Sequence, residues 1–402
     1  MRKQGRRDFI LKAVAGSAAV FTAGCMLFRS NRNMLPGIFS YVPAAASAGI
    51  PPVSPIRESG IKEAVPTGKE ALFYSPAERN RVSCELCYRN CVIAPGRRGF
   101  CRNRENRRGT LYNVVYGRPS AVHVDPVEKE PQHHMLPGAE MLSLGTAGCN
   151  FRCLHCHNWH LSQRSIEEIG RYHDHSPGDV VNTARQLGVS IISSTYNEPT
   201  VFYEYVLDIA RIAQREGFKI LWHSNGYMRP EPLRELLKHT DAVTLDLKGF
   251  SQRAYDNSSA ELEPVLETLK IIRESGVWLE IVNLVIPGIN DSMVEIGDMC
   301  AWIRDTLSPE VPLHLSRFFP NYKLTNISPT PVETLEKAYD TAKAAGLHYV
   351  TLGNVPGHEY NSTPCPKCGA MLIKRIHFKV EENNIRNGRC ASCSHVIPGI
   401  WS

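Results

Sequence analysis

Gly145-Thr-Ala-Gly-Cys149-Asn-Phe-Arg-Cys153-Leu-His-Cys156-His-Asn-Trp159 places three thiols within eight residues, with no fourth cysteine close behind. The spacing C-x3-C-x2-C can hold three corners of a cube-shaped iron–sulfur cluster and leave the fourth iron without a protein ligand, open to a small molecule. A structural zinc site wants four ligands, and only His155 or His157 stands near enough in sequence to supply the last one. Both histidines read more simply as loop packing or solvent-exposed residues.

Outward from the triplet, the chain alternates short apolar runs with amphipathic segments. The runs at 141–144, 190–194, 219–223, 242–245, 278–285, 313–317 and 348–352 predict strands, and the segments at 177–187, 200–216, 231–238, 262–274, 292–307 and 332–345 predict helices. Strands and helices in that alternation make βα units on a parallel sheet, so the fold class is α/β, a partial or complete (β/α) barrel. Catalytic groups of such barrels sit on the loops after the strands, which puts the triplet, directly after the first strand, at the catalytic face.

Ten further cysteines complete the thirteen of the 402-residue chain. Cys365-x2-Cys368 and Cys390-x2-Cys393 have the two-knuckle spacing of a zinc ribbon, four thiolates closing one tetrahedron, and structural zinc is the expectation there. Cys84, Cys87, Cys91 and Cys101 form a second set that suits either zinc or an auxiliary iron–sulfur cluster. Cys300, in a predicted amphipathic helix, reads as a small buried apolar residue. The organisation predicted is therefore a signal region at 1–48, a linker at 49–79, an N-terminal four-cysteine module at 80–140, the barrel at 141–358 and a zinc-ribbon-like module at 359–402.

Net charge is +6, and the first 48 residues carry all of it: Arg2, Lys3, Arg6, Arg7, Lys12, Arg29 and Arg32 against Asp8. The remainder is near neutral, which argues against a nucleic-acid partner. Arg6-Arg7-Asp-Phe-Ile-Leu-Lys12 before a mildly apolar Ala/Val/Gly stretch resembles a twin-arginine export signal. Two processing points are visible, Thr22-Ala-Gly-Cys25 and Ala46-Ser-Ala48, and the first would leave a lipid on Cys25. Export by the twin-arginine route, to a periplasmic or membrane-tethered location through the leader or a lipidated Cys25, is the expectation; an uncleaved basic N-terminus on a cytoplasmic protein is the alternative.

Ordered motifs run along residues 80–402. They include Cys84-Glu-Leu-Cys87-Tyr-Arg-Asn-Cys91, Gly99-Phe-Cys101, Asp125-Pro-Val-Glu-Lys129, Tyr196-Asn-Glu198-Pro199-Thr200, Ser224-Asn225-Gly226-Tyr227, Asp246-Leu-Lys248 and Asn283-Leu-Val-Ile-Pro287-Gly288. Ser316-Arg317-Phe-Phe-Pro320, Gly353-Asn354 and the closing Pro398-Gly-Ile-Trp401 follow. With the triplet in their midst, these strings resemble the radical SAM enzymes of the AmmeMemoRadiSam system, relatives of pyruvate formate-lyase activating enzyme.

That resemblance implies a [4Fe-4S] cluster on Cys149, Cys153 and Cys156, with S-adenosyl-L-methionine chelating the open iron. Its reductive cleavage gives a 5′-deoxyadenosyl radical that takes hydrogen from an unknown substrate, a protein or a small molecule. An electron donor of reductase, flavodoxin or ferredoxin type is implied as partner. Glu198 matches the motif that faces the cosubstrate's ammonium group, with a solvated loop acid or simple helix start as the alternative. Asn225 could bond ribose hydroxyls or only make a turn. Asp246 and Lys248 could contact carboxylate and ribose or form a surface ion pair. Asn283 and Arg317, polar among Leu, Val and Ile on their strands, are candidate pocket contacts. A non-catalytic iron–sulfur electron carrier or redox sensor is the alternative function; it accounts for the cysteines but not for Glu198, Asn225 and Asp246 on successive strand ends.

Overall fold

A computed structural model describes residues 57–58 and 68–402. The leader at 1–48, with Arg6, Arg7 and Cys25, lies outside the described residues.

Eight strands form the central sheet: β1 (Ala121–Pro126), β2 (Glu140–Gly145), β3 (Ile191–Ser194), β4 (Lys219–Ser224), β5 (Ala242–Asp246), β6 (Trp278–Val285), β7 (Leu313–Arg317) and β8 (Val350–Gly353). Their spatial order is their chain order, β1 to β8. β1 pairs antiparallel with β2, and every later pair is parallel. The sheet is thus mixed and open, with β1 and β8 as its end strands, the partial form of the barrel.

Six main helices follow the parallel strands: α1 (Pro177–Leu187), α2 (Tyr203–Arg215), α3 (Pro230–Leu237), α4 (Glu263–Ser275), α5 (Met293–Trp302) and α6 (Val332–Ala344). Local chemistry explains their ends. α1 starts where the Ser176 side chain accepts from the Asp179 amide while Asp179 caps Ser176 in return, Pro177 fits the first turn, and Gly188 closes the helix in the left-handed conformation. Val180, Val181 and Ala184 lie on one side of the helix and are buried. No helix among the described residues is long and apolar enough to cross a membrane.

Side chains alternate across the sheet with period two. One parity, including Leu142, Ile192, Trp222, Leu245, Ile281 and Leu315, is buried in the apolar core with the helices. The other parity is unusually polar for a barrel interior: Ser143, Ser193, His223, Thr244, Glu280, His314 and Thr351. Beneath them Met141, Ile191, Leu221 and Ala242 form an apolar floor with Val127 and Met135.

Two small β modules flank the sheet. Tyr74–Ala77, Arg81–Cys84 and Val92–Ile93 form one antiparallel sheet before it, and Lys69–Glu70, Thr110–Asn113 and Arg104–Arg107 another. Lys69–Glu70 and Tyr74–Ala77, which fall in the predicted linker at 49–79, are therefore strands paired into this module. After the central sheet, Thr363–Pro364, Met371–Ile376 and Lys379–Asn383 pair antiparallel, followed by the short hairpin Ile385–Arg386 with Arg389–Cys390. β1 has no periodic signal of its own: its first four residues are partly exposed or open, as befits an edge strand, yet it carries the Asp125 motif into the sheet.

Candidate active site

A cavity of about 470 Å³ opens at the carboxyl ends of the strands. The loop after β2 brings Cys149, Cys153 and Cys156 to its wall, the first two buried and the third half-buried. Donors surround the sulfurs: the Phe151 amide lies 3.3 Å from Cys149 Sγ, Asn225 Nδ2 3.7 Å from the same atom, and Ser162 Oγ 3.1 Å from Cys156 Sγ. Such contacts favour thiolate sulfur. Burial, with the neighbouring Cys153, pushes the Cys156 thiol up to about 11, and a bound cation would favour the charged form.

Glu198 ends the loop after β3 and is joined to the triplet loop through Asn225. Its carboxylate is buried and accepts from the Thr200 amide (3.0 Å), the Thr200 hydroxyl (2.6 Å), the Ser224 hydroxyl (2.8 Å) and the Asn225 amide (2.9 Å). Three of these reach Oε1 and only one reaches Oε2, which leaves Oε2 acceptor capacity on the cavity wall. Burial raises the Glu198 pKa against those hydrogen bonds. Asn225, following β4, donates from Nδ2 to Asn150 Oδ1 at 2.8 Å and so ties this loop to the triplet loop. Gly226 supplies the left-handed turn: its φ is +73°, and a Cβ there would come within 2.9 Å of Leu245.

β5 ends at Asp246, so Asp246 and Lys248 do reach the cavity together. Lys248 Nζ lies 2.6 Å from the Asp246 carboxylate, and His223 Nε2 lies 3.2 Å from it on the other side. Burial opposes both charges, but the attraction wins: the Asp246 carboxyl is held far below the ordinary range and Lys248 above its own. Burial also opposes charge on His223, whose pKa is nevertheless raised by Asp246 and Glu130.

Asn283 and Arg317 are on the wrong parity. Val282 and Leu284 face the cavity from β6, whereas Asn283, between them, gives Nδ2 to the Leu247 carbonyl at 2.7 Å. Ser316 faces in from β7, and Arg317 Nε donates to the Thr330 carbonyl at 2.7 Å. Neither lines the cavity. His157 is exposed, but His155 is buried in the cavity wall with both ring nitrogens lacking a hydrogen-bond partner, and burial lowers its pKa to about 3.

Several inward-facing polar strand residues, among them Ser193, His223, Glu280 and His314, are not in the motifs, although strand parity signals them; Glu130 and Tyr196 reach the cavity from loops. Glu130 is buried, accepts from Ser193 Oγ, and has its pKa raised to about 7 by burial. Tyr196 has a left-handed backbone (φ 66°) and donates its hydroxyl to Asp125, which also pairs with Lys129 at 2.7 Å. Glu130 carries a pH prediction. In the native state it keeps its proton up to about 7, whereas an unfolded glutamate releases it near about 4.3. The stability linked to that proton is complete below about pH 4.3 and is lost as pH rises through 7. Glu130→Gln removes the dependence, so its melting temperature relative to wild type is expected to climb by a few degrees between about pH 5 and about pH 8. Thermal melts at the two pH values check this, and a gap that stays level or shrinks counts against the assignment.

Cys365, Cys368, Cys390 and Cys393 bring their four sulfurs within 4.8 Å of one another, a group able to hold a metal ion. The pairs Cys365–Cys393 and Cys368–Cys390 are 3.7 and 3.9 Å apart. From the same module, His377 and Phe378 reach the cavity wall.

A family profile described as Radical SAM superfamily matches residues 143–300. The uncharacterized protein MJ0808 of Methanocaldococcus jannaschii is 44% identical over 331 residues, 82% of this chain and 98% of that protein. Pyruvate formate-lyase 1-activating enzyme of Escherichia coli (strain K12) is 27% identical over 211 residues, 47% of this chain and 83% of that enzyme. Among solved structures, a radical SAM methyltransferase from Sphaerobacter thermophilus superposes with a TM-score of 0.43 at 15% identity, covering 59% of this chain and 71% of that one.

Proposed function

This chain belongs to the radical SAM superfamily, and on that premise we propose that it cleaves S-adenosyl-L-methionine reductively and takes a hydrogen atom from a substrate bound in the same cavity. The observation that carries the reading is the convergence of three cysteine sulfurs, the Glu198 carboxylate and the Asp246–Lys248 pair on one cavity. Cys149, Cys153 and Cys156 would hold a [4Fe-4S] cluster. The residues fit it: three sulfurs stand on one loop among hydrogen-bond donors, and the unpaired nitrogens of His155 mark a wall built to face a polar occupant. When bound, the reduced cluster supplies the electron that breaks a carbon–sulfur bond of the cosubstrate and yields a 5′-deoxyadenosyl radical.

The protein's share is orientation and exclusion of water. Glu198, fixed by four donors, presents Oε2 to an ammonium group. Lys248 and Asp246, already paired, offer a cation to a carboxylate and an acceptor to hydroxyls. Asn225 holds the Glu198 loop and the triplet loop in register. Because Glu198→Gln removes the charge that an ammonium would meet, it is expected to weaken binding of S-adenosyl-L-methionine by about tenfold to a hundredfold, the size of one charge-assisted hydrogen bond. Equilibrium binding to the reconstituted protein measures this, and an unchanged affinity removes Glu198 from the site. The reading as a whole is tested by electron paramagnetic resonance of the reduced protein: S-adenosyl-L-methionine is expected to alter the spectrum, and indifference to it favours the electron-carrier alternative.

Finer placements rest on separate features. Membership of the AmmeMemoRadiSam system is supported by the ordered motifs from Cys84 to Trp401, and activating-enzyme-like chemistry on a protein substrate by the likeness to an activating enzyme. A low-potential donor of flavodoxin or ferredoxin type is the partner such chemistry needs. Zinc in the C-terminal module is supported by sulfur separations close to the roughly 3.8 Å expected across a tetrahedron with zinc–sulfur bonds of about 2.3 Å. Twin-arginine export rests on Arg6, Arg7 and the apolar stretch behind them, and fractionation of the tagged full-length chain tests it.

A further inference from the structure

Cys84, Cys87, Cys91 and Cys101 line a small cavity of their own, separate from the active-site cavity and walled by Leu86, Ile93, Val201 and Arg104. Three of the four sulfur-bearing residues are buried, and Cys91 is half-buried. The contrast with the C-terminal set is one of spacing. There the four sulfurs close to within 4.8 Å, as a single ion requires; among the described residues the N-terminal four do not draw together in that way, and a void separates them. Sulfurs arranged around a cube of four irons stand well apart, since the metal–sulfur core occupies the middle.

Arg104 shows what charge that void is built for. It is 1% exposed, and its Nη1 is fixed by Glu204 at 2.8 Å, which in turn accepts from Asn113 Nδ2 and the Leu72 amide. The remaining donors, Nε and Nη2, have no hydrogen-bond partner in the wall of the four-cysteine cavity. A buried guanidinium with two orphan donors is costly unless an anion takes them. A cluster carried by four thiolates is such an anion, and its sulfurs accept hydrogen bonds; the Phe100 amide already points at Cys91 Sγ, 3.5 Å away.

We infer that Cys84, Cys87, Cys91 and Cys101 hold a second [4Fe-4S] cluster, with Arg104 donating into it. The site stands on these observations alone. Its use as a one-electron relay to the triplet rests on the function proposed above and on position. Cys101 and Cys149 are carried by segments in van der Waals contact: a Cβ at Gly148, whose φ is +78°, would lie 2.2 Å from the Cys101 carbonyl oxygen. Arg89 and Arg152 stitch the same segments together, through the Asn150 carbonyl at 2.7 Å and the Phe100 carbonyl. The electron count is simple. A low-potential one-electron donor reduces the second cluster, the same electron passes to the first, and the second returns to its oxidised state without gaining or losing a proton.

The test uses the full-length chain carrying Cys149→Ala, Cys153→Ala and Cys156→Ala, reconstituted and reduced anaerobically. About four irons per chain are expected to remain, with a reduced-cluster paramagnetic signal that S-adenosyl-L-methionine does not alter. Absence of iron in the folded variant, whether zinc takes its place or not, overturns the proposal. Should the triple variant not fold, Cys84→Ala/Cys87→Ala reads the same question from the other side. It is expected to lose about four of about eight irons while the remaining signal still responds to S-adenosyl-L-methionine; no loss of iron relative to wild type overturns the proposal. Iron retained by the triple variant, together with no cosubstrate cleavage by wild type, would leave this cluster standing and remove the active-site reading instead.

Discussion

Cys153→Ala is expected to abolish cleavage of S-adenosyl-L-methionine, bringing 5′-deoxyadenosine down to the level of a protein-free control. Cys153 is the middle member of the triplet proposed to hold the cluster, and it is buried in the cavity wall between the other two. Its loop is anchored independently of any cluster: the Arg152 amide bonds the Ser258 carbonyl, the Leu154 amide the Asn257 carbonyl, and Arg152 Nη1 the Cys149 carbonyl. The variant should therefore fold and lose about four irons, with the loss confined to the triplet if the N-terminal cluster is present. Iron content and product are measured on one anaerobic sample. Full cleavage by the variant would show that the chemistry does not depend on the triplet.

The second large effect concerns the polar interior face of the sheet. Glu280 is completely buried and accepts from the His133 amide (2.9 Å), the His134 amide (2.8 Å), Trp278 Nε1 (2.9 Å) and His314 Nε2 (2.7 Å). Through His133, whose carbonyl takes Arg375 Nη2 at 2.7 Å, it also ties the C-terminal module to the sheet. Glu280→Ala orphans all four donors, and a buried charge network broken on one side costs about 3–5 kcal/mol. Melting is expected to fall by roughly 4–7 °C at neutral pH for a chain of this size.

The pH dependence has a definite sign. Burial would raise the Glu280 pKa, but hydrogen bonding and charge from His314 pull it down to about 2. An acid depressed in the folded state stabilises fully above its unfolded value, about 4.3, and that contribution is lost as pH falls through the folded one. The gap between wild type and Glu280→Ala should therefore narrow between about pH 4 and about pH 2. A constant gap would mean that Glu280 is not ionised in the native state.

The elements of the sheet were legible because each parallel strand is an apolar run whose outward parity packs under a helix, and because caps such as Ser176 and Gly188 mark the helix ends. Strand 278–285 and strand 313–317 end where the apolar pattern ends. The antiparallel edge strand Ala121–Pro126 was not legible, because half-exposed residues show neither the helical nor the buried-strand pattern.

Around the cavity, the triplet, Glu198, Asn225, Asp246 and Lys248 were legible because each lies at the carboxyl end of a strand or on the loop that follows it. Asn283 and Arg317 could not be placed by polarity alone. Each lies one residue away from an inward position, and in a strand one residue is the whole difference between cavity and core. The same parity rule, applied to Ser193, His223, Glu280 and His314, would have exposed the polar interior. Glu130 depends on a contact between distant segments and leaves no local signal, and Tyr196 stands in a quoted motif whose bond to Asp125 only the fold shows.

Reductive cleavage is read from the yield of 5′-deoxyadenosine from the wild-type chain, reconstituted with iron and sulfide, reduced, and mixed with S-adenosyl-L-methionine under anaerobic conditions. Product is predicted to form only when protein, reductant and cosubstrate are all present. Wild-type protein with a full iron complement that yields no more product than the reductant alone would show that the chain does not cleave S-adenosyl-L-methionine.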